Sequence, residues 1–220
     1  MLNSKLILAL DVPDINKAKH FINELYPAVK IFKVGSQLFT NCGPKIIQFI
    51  KRKGGEVFLD LKFFDIPNTV ASAVRQAVNL KVKMLTLHIS GGEEMLQAAV
   101  KASHDESRRI KARPPFLIGV TILTSQKATP AKVLKLAKAG LDCGLDGIVC
   151  SVKEMAFLRK KLGKKFIIVT PGIRPDSKKA DDQKRTATAK EAVKAGSNFL
   201  VVGRPILEAK NPLKAVKGLL

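Results

Sequence analysis

Hydrophobic residues are concentrated in eight short runs along the chain, and stretches with a helical spacing of apolar residues lie between them. Most of the runs are continuous, a pattern typical of parallel strands that are buried on both faces. The sequence therefore predicts a parallel sheet. Its predicted strands cover residues 6–11, 30–35, 56–62, 84–89, 116–123, 146–151, 166–171 and 199–203.

Between these strands, apolar residues recur every three or four positions, as in helices with one buried face. Asp14 is a candidate N-cap for the first of these helices. The apolar residues that follow it fall on one helix face: Ile15, Ala18, Phe21, Ile22 and Leu25. The same spacing predicts helices over 68–80, 93–110 and 130–140, and Gly140 is predicted to end the last of them.

Eight strands that alternate with helices in 220 residues predict the α/β class and a single (β/α)8 TIM barrel. Barrels of this kind commonly form one domain of about 200 to 250 residues. Because no linker or repeat interrupts the pattern, residues 1–220 are predicted to be one catalytic domain. The longest predicted loop, residues 172–188, follows the seventh strand, and loops of such length often act as lids or binding loops.

The composition favours a cytoplasmic protein. No apolar run reaches the roughly 18 residues that a membrane span requires, so no membrane association is expected. The first residues, "MLNSKLILALDVPD", are interpreted as a strand and not as a signal peptide. Three cysteines without a C-x-x-C pair indicate reduced thiols and no metal site.

The formal net charge of +21 raises the hypothesis of nucleic-acid binding. The basic clusters, however, are scattered over separate segments, and the chain has no Trp and one Tyr for stacking on bases. We therefore expect no nucleic-acid partner and interpret the charge as a solvated surface that attracts an anionic small molecule. A basic nucleic-acid-binding protein stays as the remote alternative, to be tested by salt-dependent retention on duplex DNA.

Polar residues follow the predicted strands at the end where barrels of this fold carry their active sites. These candidate site residues are Asp11, Lys33, Asp60, Lys62, His88, Thr124, Arg174, Gly203 and Arg204. A single polar residue at a strand end is more often a cap or a structural bridge. The coincidence of so many at one rim predicts a functional site.

Asp60, Lys62 and Asp65 lie within six positions of one another. Asp60 and Lys62 are two apart on a strand, so their side chains are expected to share a face. A buried ion-pair network would contribute little stability. A Schiff-base lysine requires a neutral amine, whereas flanking carboxylates favour the ammonium form. We interpret the group as a device that holds a charged ammonium in place, as an acid or as a stabiliser of an anion.

The segments "TPGIRP" and "VVGRP" place a Gly and then an Arg after the seventh and eighth strands. Loops at these two positions commonly bind phosphate in this fold. Glycine allows backbone N–H groups to approach a phosphate, and Arg204 can add charged hydrogen bonds. The alternative is a tight turn before the last helix.

The sequence resembles the orotidine 5'-phosphate decarboxylase family of the compact bacterial type over essentially the whole chain. The matching segments are "LALDVPD", "KVG", "FLDLKFFDIPNTV", "LTLHISGG", "VTILTS", "TPGIRP", "DDQKR" and "VVGRPI". The resemblance implies conversion of orotidine 5'-phosphate to uridine 5'-phosphate (UMP), the last step of de novo pyrimidine biosynthesis. It implies no metal and no other cofactor.

The resemblance also implies roles for individual residues. Lys62 would be the catalytic proton donor, and Asp60 would face the substrate carboxylate. Asp65 and Thr69 would reach the ribose from the partner subunit of a homodimer, and His88 would support the structure. The remaining substrate-binding residues would be Asp11 and Lys33 at the ribose, Thr124 at the pyrimidine, and Arg174, Gln183, Gly203 and Arg204 at the 5'-phosphate.

A magnesium-dependent sugar-phosphate decarboxylase or hexulose-phosphate synthase of the same suprafamily is the nearest alternative. Such barrels resemble this chain in the D-x-K-x-x-D core but lack its "DIPNT" continuation. Loss of activity on adding a chelator would favour them.

Overall fold

Eight parallel strands form a closed barrel in a computed structural model, which describes residues 5–123, 126, 129–175 and 186–219. Each strand pairs with the next along the chain, and the eighth pairs with the first. The predicted (β/α)8 fold is therefore confirmed. The strands are β1 Leu6–Ala9, β2 Ile31–Gly35, β3 Glu56–Phe63, β4 Met84–His88, β5 Phe116–Val120, β6 Gly147–Val149, β7 Ile167–Thr170 and β8 Phe199–Val202.

Helices surround the barrel, although not with the predicted regularity of one after each strand. Two helices follow β2, a single 3-10 turn (Ile89–Gly91) precedes the helix after β4, and two helices follow β8. The helices are α1 Ile15–Leu25, α2 Ser36–Cys42, α3 Lys45–Arg52, α4 Pro67–Asn79, α5 Glu93–Arg109, α6 Pro130–Asp142, α7 Val152–Leu162, α8 Ala189–Ala195, α9 Arg204–Leu207 and α10 Pro212–Leu219. No helix in the described ranges is long and apolar enough to cross a bilayer.

Two local predictions about helix ends had opposite outcomes. Asp14 caps α1 as predicted, because its side chain accepts hydrogen bonds from the backbone N–H groups of Asn16 and Lys17 at 2.8 and 2.9 Å. The predicted stop at Gly140 is wrong, since α6 continues through it to Asp142. A Cβ atom at Gly140 would lie 2.8 Å from the side chain of Ile89. This glycine therefore permits close packing and does not end the helix.

The strands bury side chains on both faces, which explains their continuous apolar runs. Alternate residues face the helices, and the others fill the barrel interior. The interior group consists of Ile7, Ala9, Ile31, Phe58, Met84, Ile118, Val169 and Val201. Two positions further along β2, β3 and β4, the same inward face carries Lys33, Asp60 and Thr86. The apolar interior therefore gives way to polar residues at the carboxyl ends of the strands.

Candidate active site

A cavity of about 520 Å³ opens at the carboxyl ends of the barrel strands. Most of the candidate residues from the sequence line it, together with apolar residues from β5 to β8. Several strands are shorter at their carboxyl ends than the sequence predicted. Ile122 and Leu123, for example, were predicted to lie in the fifth strand, but they follow the end of β5 and line the cavity. The lining residues are Ala9, Asp11, Lys33, Phe58, Asp60, Lys62, Val120, Ile122, Leu123, Val149, Val169, Pro171, Gly172, Arg174, Val201, Gly203, Arg204 and Glu208.

Four of these side chains form a row of alternating charge across β1, β2 and β3. The Lys33 ammonium lies 3.0 Å from Asp11 Oδ1 and 3.3 Å from Asp60 Oδ2. The Lys62 ammonium lies 2.9 Å from the other oxygen of Asp60, Oδ1. The strand register accounts for the row, because Lys33 pairs with Ala9 on β1 and with Phe58 on β3, and the two aspartates lie two residues after those partners. A Cβ atom at Gly35 would lie 3.1 Å from Lys33 Nζ, so any larger residue here would crowd this ammonium.

The centre of the row is buried, while its ends reach solvent. The side chains of Lys33 and Asp60 are each 12% exposed, against 56% for Asp11 and 37% for Lys62. Burial opposes the charge on Asp60, but Lys33 and Lys62 outweigh it, so the pKa of Asp60 is lowered. Burial likewise opposes the charge on Lys33, but Asp60 and Asp11 outweigh it and raise its pKa. Both central groups are therefore held in their charged forms.

Lys62 has an unusual backbone conformation for a strand residue, with φ at +53°. Left-handed geometry in a residue with a Cβ atom costs about 1–2 kcal/mol. The pairing between β3 and β4 shifts at this point, between Leu59 and Phe63. Lys62 and Asp60 meet as predicted, but the regular alternation assumed for the strand is wrong here. The irregular strand directs the Lys62 side chain at the cavity.

Asp65 and Thr69, by contrast, are exposed and do not line the cavity of their own chain. The Asp65 carboxylate accepts a hydrogen bond from the backbone N–H of Ile66 at 2.7 Å. The Asp65 carboxylate has no ion-pair partner among the described residues. The residues on either side of it, Phe64 and Ile66, are 62% and 66% exposed, which is unusual for large apolar side chains.

Gly172, Arg174, Gly203 and Arg204 line the cavity after β7 and β8, as the phosphate hypothesis requires. Gly172 has φ at +77°, a conformation that favours glycine. Arg174 is only 7% exposed, and its Nη1 donates to the carbonyl oxygen of Ile173 at 3.0 Å. Two other predicted binding residues, Thr124 and Gln183, lie outside the described residues.

Sequence reasoning missed two polar neighbours of the cavity. Thr86 is 1% exposed, and its hydroxyl donates to Asp60 Oδ1 at 3.0 Å. A threonine in an apolar strand gives no signal of such a role, because strands commonly contain threonine. Glu208 lines the cavity from the end of α9. His88, expected only to support the structure, packs against Phe64 with the ring centroids 5.8 Å apart and the rings tilted by 59°. Burial and the charge on Lys62 lower the pKa of His88.

A charged cavity at the carboxyl end of a closed parallel barrel is the usual site of an α/β-barrel enzyme. The sequence model of the "Orotidine 5'-phosphate decarboxylase / HUMPS family" matches residues 4–219, so the chain belongs to this family. The resemblance inferred from the motifs is thereby confirmed.

Individual relatives match over nearly their whole length. Orotidine 5'-phosphate decarboxylase from Geobacter sp. (strain M21) is 43% identical over 224 residues, covering 97% of this chain and 93% of the relative. The protein of the same name from Moorella thermoacetica is 41% identical and covers 98% and 90%. The crystal structure of orotidine 5'-phosphate decarboxylase from Lactobacillus acidophilus has a TM-score of 0.86 at 33% identity, covering 98% of this chain and 96% of that one.

Proposed function

We propose that this chain catalyses the decarboxylation of orotidine 5'-phosphate to UMP, the last step of de novo pyrimidine biosynthesis. The observation that carries the proposal is the row of alternating charge, which presents the Lys62 ammonium to a cavity whose other side carries Arg174 and Arg204. The family match and the names of the relatives support the same reaction. In this proposal residues 1–220 act as one catalytic domain in the cytoplasm.

The substrate is proposed to lie across the cavity with its phosphate beside β7 and β8. Gly203, Arg204 and Arg174 would bind the phosphate dianion, with Gln183 from the loop after β7. Asp11 and Lys33 would bind the ribose hydroxyls, and Thr124 the pyrimidine edge. The apolar lining from β5 to β8 suits the faces of a flat ring.

In the proposed chemical step, the bond between C6 and the carboxylate breaks, CO2 leaves, and the electron pair remains on C6. The ring offers no adjacent carbonyl group that delocalises this pair well, so the protein must stabilise it electrostatically. A preorganised ammonium at the site of developing charge is suited to that task. Lys62 then transfers a proton to C6, which completes UMP, and the neutral amine regains a proton from solvent.

Asp60 has two proposed roles in this step. Its two oxygens hold Lys62 and Lys33 at 2.9 and 3.3 Å, so it fixes both ammonium groups before substrate arrives. Its negative charge would also lie near the substrate carboxylate and disfavour that group until it leaves as CO2. Phosphate binding energy on the far side of the cavity would offset this unfavourable contact.

Lys33 distinguishes the proposal from the magnesium-dependent alternative. Two carboxylates on either side of β2, Asp11 after β1 and Asp60 on β3, could share a divalent cation, but here the Lys33 ammonium lies within 3.3 Å of both. A second cation at the same place would meet strong repulsion. This positive charge supports the metal-independent reaction.

The proposed assembly is a homodimer in which Asp65 and Thr69 of each subunit complete the site of the other. Their exposure outside their own cavity supports this arrangement. The exposed Phe64 and Ile66 beside Asp65 supply apolar surface that a partner subunit would cover. We expect no nucleic-acid partner.

The direct test adds orotidine 5'-phosphate to the purified protein and follows the loss of its ultraviolet absorbance, with UMP identified by mass. Activity should be unchanged in the presence of a chelator such as EDTA. The absence of turnover would contradict the proposed function. Turnover that the chelator abolishes, and that magnesium restores, would instead favour the magnesium-dependent alternative.

A further inference from the structure

Lys62 is one of three non-glycine residues in the described part of the chain that have a positive φ, and it differs from the other two in its position in the fold. Lys81 and Lys111 have φ of +54° and +52°, and each follows a helix, where such a conformation is common. Lys62 lies inside β3, where no helix end accounts for it. Some other interaction must hold its backbone in this conformation.

The hydroxyl group of Thr86 is placed to do so. The backbone N–H of Lys62 donates to Thr86 Oγ1 at 2.9 Å, and Thr86 Oγ1 donates to Asp60 Oδ1 at 3.0 Å. The directions of both bonds follow from the groups, because an N–H only donates and a carboxylate only accepts. Thr86 is 1% exposed, so water does not compete for either bond.

The strand register explains why a side-chain hydroxyl, and not a backbone carbonyl, accepts the hydrogen bond from the Lys62 N–H. Between β3 and β4, Leu59 pairs with Leu85, and the next pair is Phe63 with Leu87. Three residues of β3, from Asp60 to Lys62, therefore lie opposite Thr86 alone. The ordinary ladder cannot satisfy the Lys62 N–H across such a bulge, and the hydroxyl of Thr86 replaces the missing backbone acceptor.

We propose that Thr86 is the positioning residue of Lys62, holding its backbone directly and its ammonium group through Asp60. Asp60 Oδ1 accepts from both the Thr86 hydroxyl and Lys62 Nζ, so one hydroxyl fixes both ends of the lysine. This inference rests on the proposed function above. During that reaction, the contacts made by Thr86 and Asp60 would hold the Lys62 ammonium beside C6 of the substrate. A side chain that is free to move would lose much of the benefit of a preorganised charge.

The test compares Thr86→Val, which keeps the shape of the side chain without the hydroxyl, with Thr86→Ser, which keeps the hydroxyl. Thr86→Val should lower kcat on the order of 100-fold while KM changes by less than about threefold, since a misplaced catalytic group costs rate more than binding. Thr86→Ser should recover kcat to within about threefold to fivefold of wild type. Thr170→Val is the matched control, because Thr170 is also buried on a strand, with its hydroxyl bonded to Ser197 at 2.7 Å, and does not line the cavity.

A second measurement needs no turnover. NMR-detected hydrogen exchange should show the Lys62 amide protected in the wild type and in Thr86→Ser, but exchanging at least about tenfold faster in Thr86→Val. If Lys62 exchanges like an unstructured peptide in the wild type, the proposal is overturned. The proposal is also overturned if Thr86→Val has the same kcat as the wild type. It is overturned as well if Thr170→Val loses as much kcat as Thr86→Val does. A wild-type protein that does not turn over orotidine 5'-phosphate contradicts the proposed function alone, and the exchange data then decide the role of Thr86.

Discussion

The two sides of the cavity are built in different ways. On the charged side, Asp11, Lys33, Asp60 and Lys62 form a continuous row of ion pairs on and just after β1 to β3. On the arginine side, formed by Gly172, Arg174, Gly203 and Arg204, the residues follow β7 and β8 in loops and at the start of α9. The charged side is thus held by the barrel itself, whereas the arginine side is held by the segments that leave it.

In the proposed reaction the two sides have different roles: the charged side stabilises the transition state, and the arginine side binds the phosphate. Groups on strands are held more precisely than groups on loops, and precision matters most where charge develops in the transition state. A phosphate that does not react requires strong binding but tolerates small displacements. We therefore expect changes on the charged side to lower kcat, and changes on the arginine side to weaken binding first.

Lys62→Ala should give the largest effect. The ammonium is needed where charge develops, so we expect kcat to fall by roughly four orders of magnitude or more while UMP still binds. Single-turnover kinetics and UMP titration by calorimetry measure the two quantities. Borohydride added with substrate should trap no adduct, because the proposed mechanism uses Lys62 as an acid and not as a nucleophile. A variant that keeps even a few per cent of wild-type kcat, with chemistry rate-limiting, would contradict the mechanism.

Arg204→Ala tests the opposite side. Loss of charged hydrogen bonds to the phosphate should lower kcat/KM by about 100-fold or more, mainly through KM. Free phosphite dianion should raise wild-type activity on a substrate that lacks the phosphate, and this activation should be weaker in the variant. Arg108→Ala is the control, since Arg108 is 79% exposed on α5 and pairs with Asp105. An unchanged kcat/KM in Arg204→Ala would show that the phosphate binds elsewhere.

Asp60→Asn tests whether the charged side also stabilises the fold. Because the folded-state pKa of Asp60 is lowered from its ordinary value of 3.8, its charge stabilises the protein above that pH, and this contribution is lost as the pH falls through the folded-state pKa. Near neutral pH the variant should be less stable by about 2 kcal/mol, since Lys33 and Lys62 lose their shared partner.

Urea unfolding between pH 3 and 7 measures this difference. The difference in stability between Asp60→Asn and the wild type should begin to narrow below pH 3.8, because the unfolded wild-type chain then takes up a proton at Asp60 while the folded protein still holds this carboxylate charged. Thr170→Val, an uncharged change on β7, should show a difference that is independent of pH. If the difference in free energy of unfolding between Asp60→Asn and the wild type stays constant down to pH 3, the ion pairs of Asp60 contribute nothing to stability.

The sequence predicted the barrel and most of the charged residues that line its cavity, but it did not predict how these residues are held in place. Buried parallel strands leave continuous apolar runs, so their order was evident, and polar residues at their carboxyl ends marked the rim. Gly140 misled because a glycine that permits close packing gives the same signal as one that ends a helix. The left-handed backbone of Lys62 and the role of Thr86 depend on a register shift between β3 and β4, which a single strand pattern does not contain.

The prediction with the smallest expected effect tests whether the charged side also needs Asp65 from a second subunit. Lys62 lines the cavity of its own chain, but Asp65 is exposed outside it. In a homodimer with shared sites, a chain carrying Lys62→Ala and a chain carrying Asp65→Ala form one intact site per heterodimer. Random mixing makes half of the dimers mixed, so the mixture should recover about a quarter of wild-type activity, a fourfold deficit.

Lys62→Ala mixed with Arg204→Ala is the matched control, because both residues line the same cavity of one chain. No heterodimer in that mixture contains an intact site, so its activity should not exceed that of Arg204→Ala alone. Subunit exchange is verified by native mass spectrometry of differently tagged chains. If exchange is complete and the Lys62→Ala and Asp65→Ala mixture stays inactive, Asp65 does not act across the interface. Activity that recovers in the Lys62→Ala and Asp65→Ala mixture, but not in the Lys62→Ala and Arg204→Ala mixture, shows that the charged side needs a residue from the second subunit. It also shows that Lys62 and Arg204 act from the same chain.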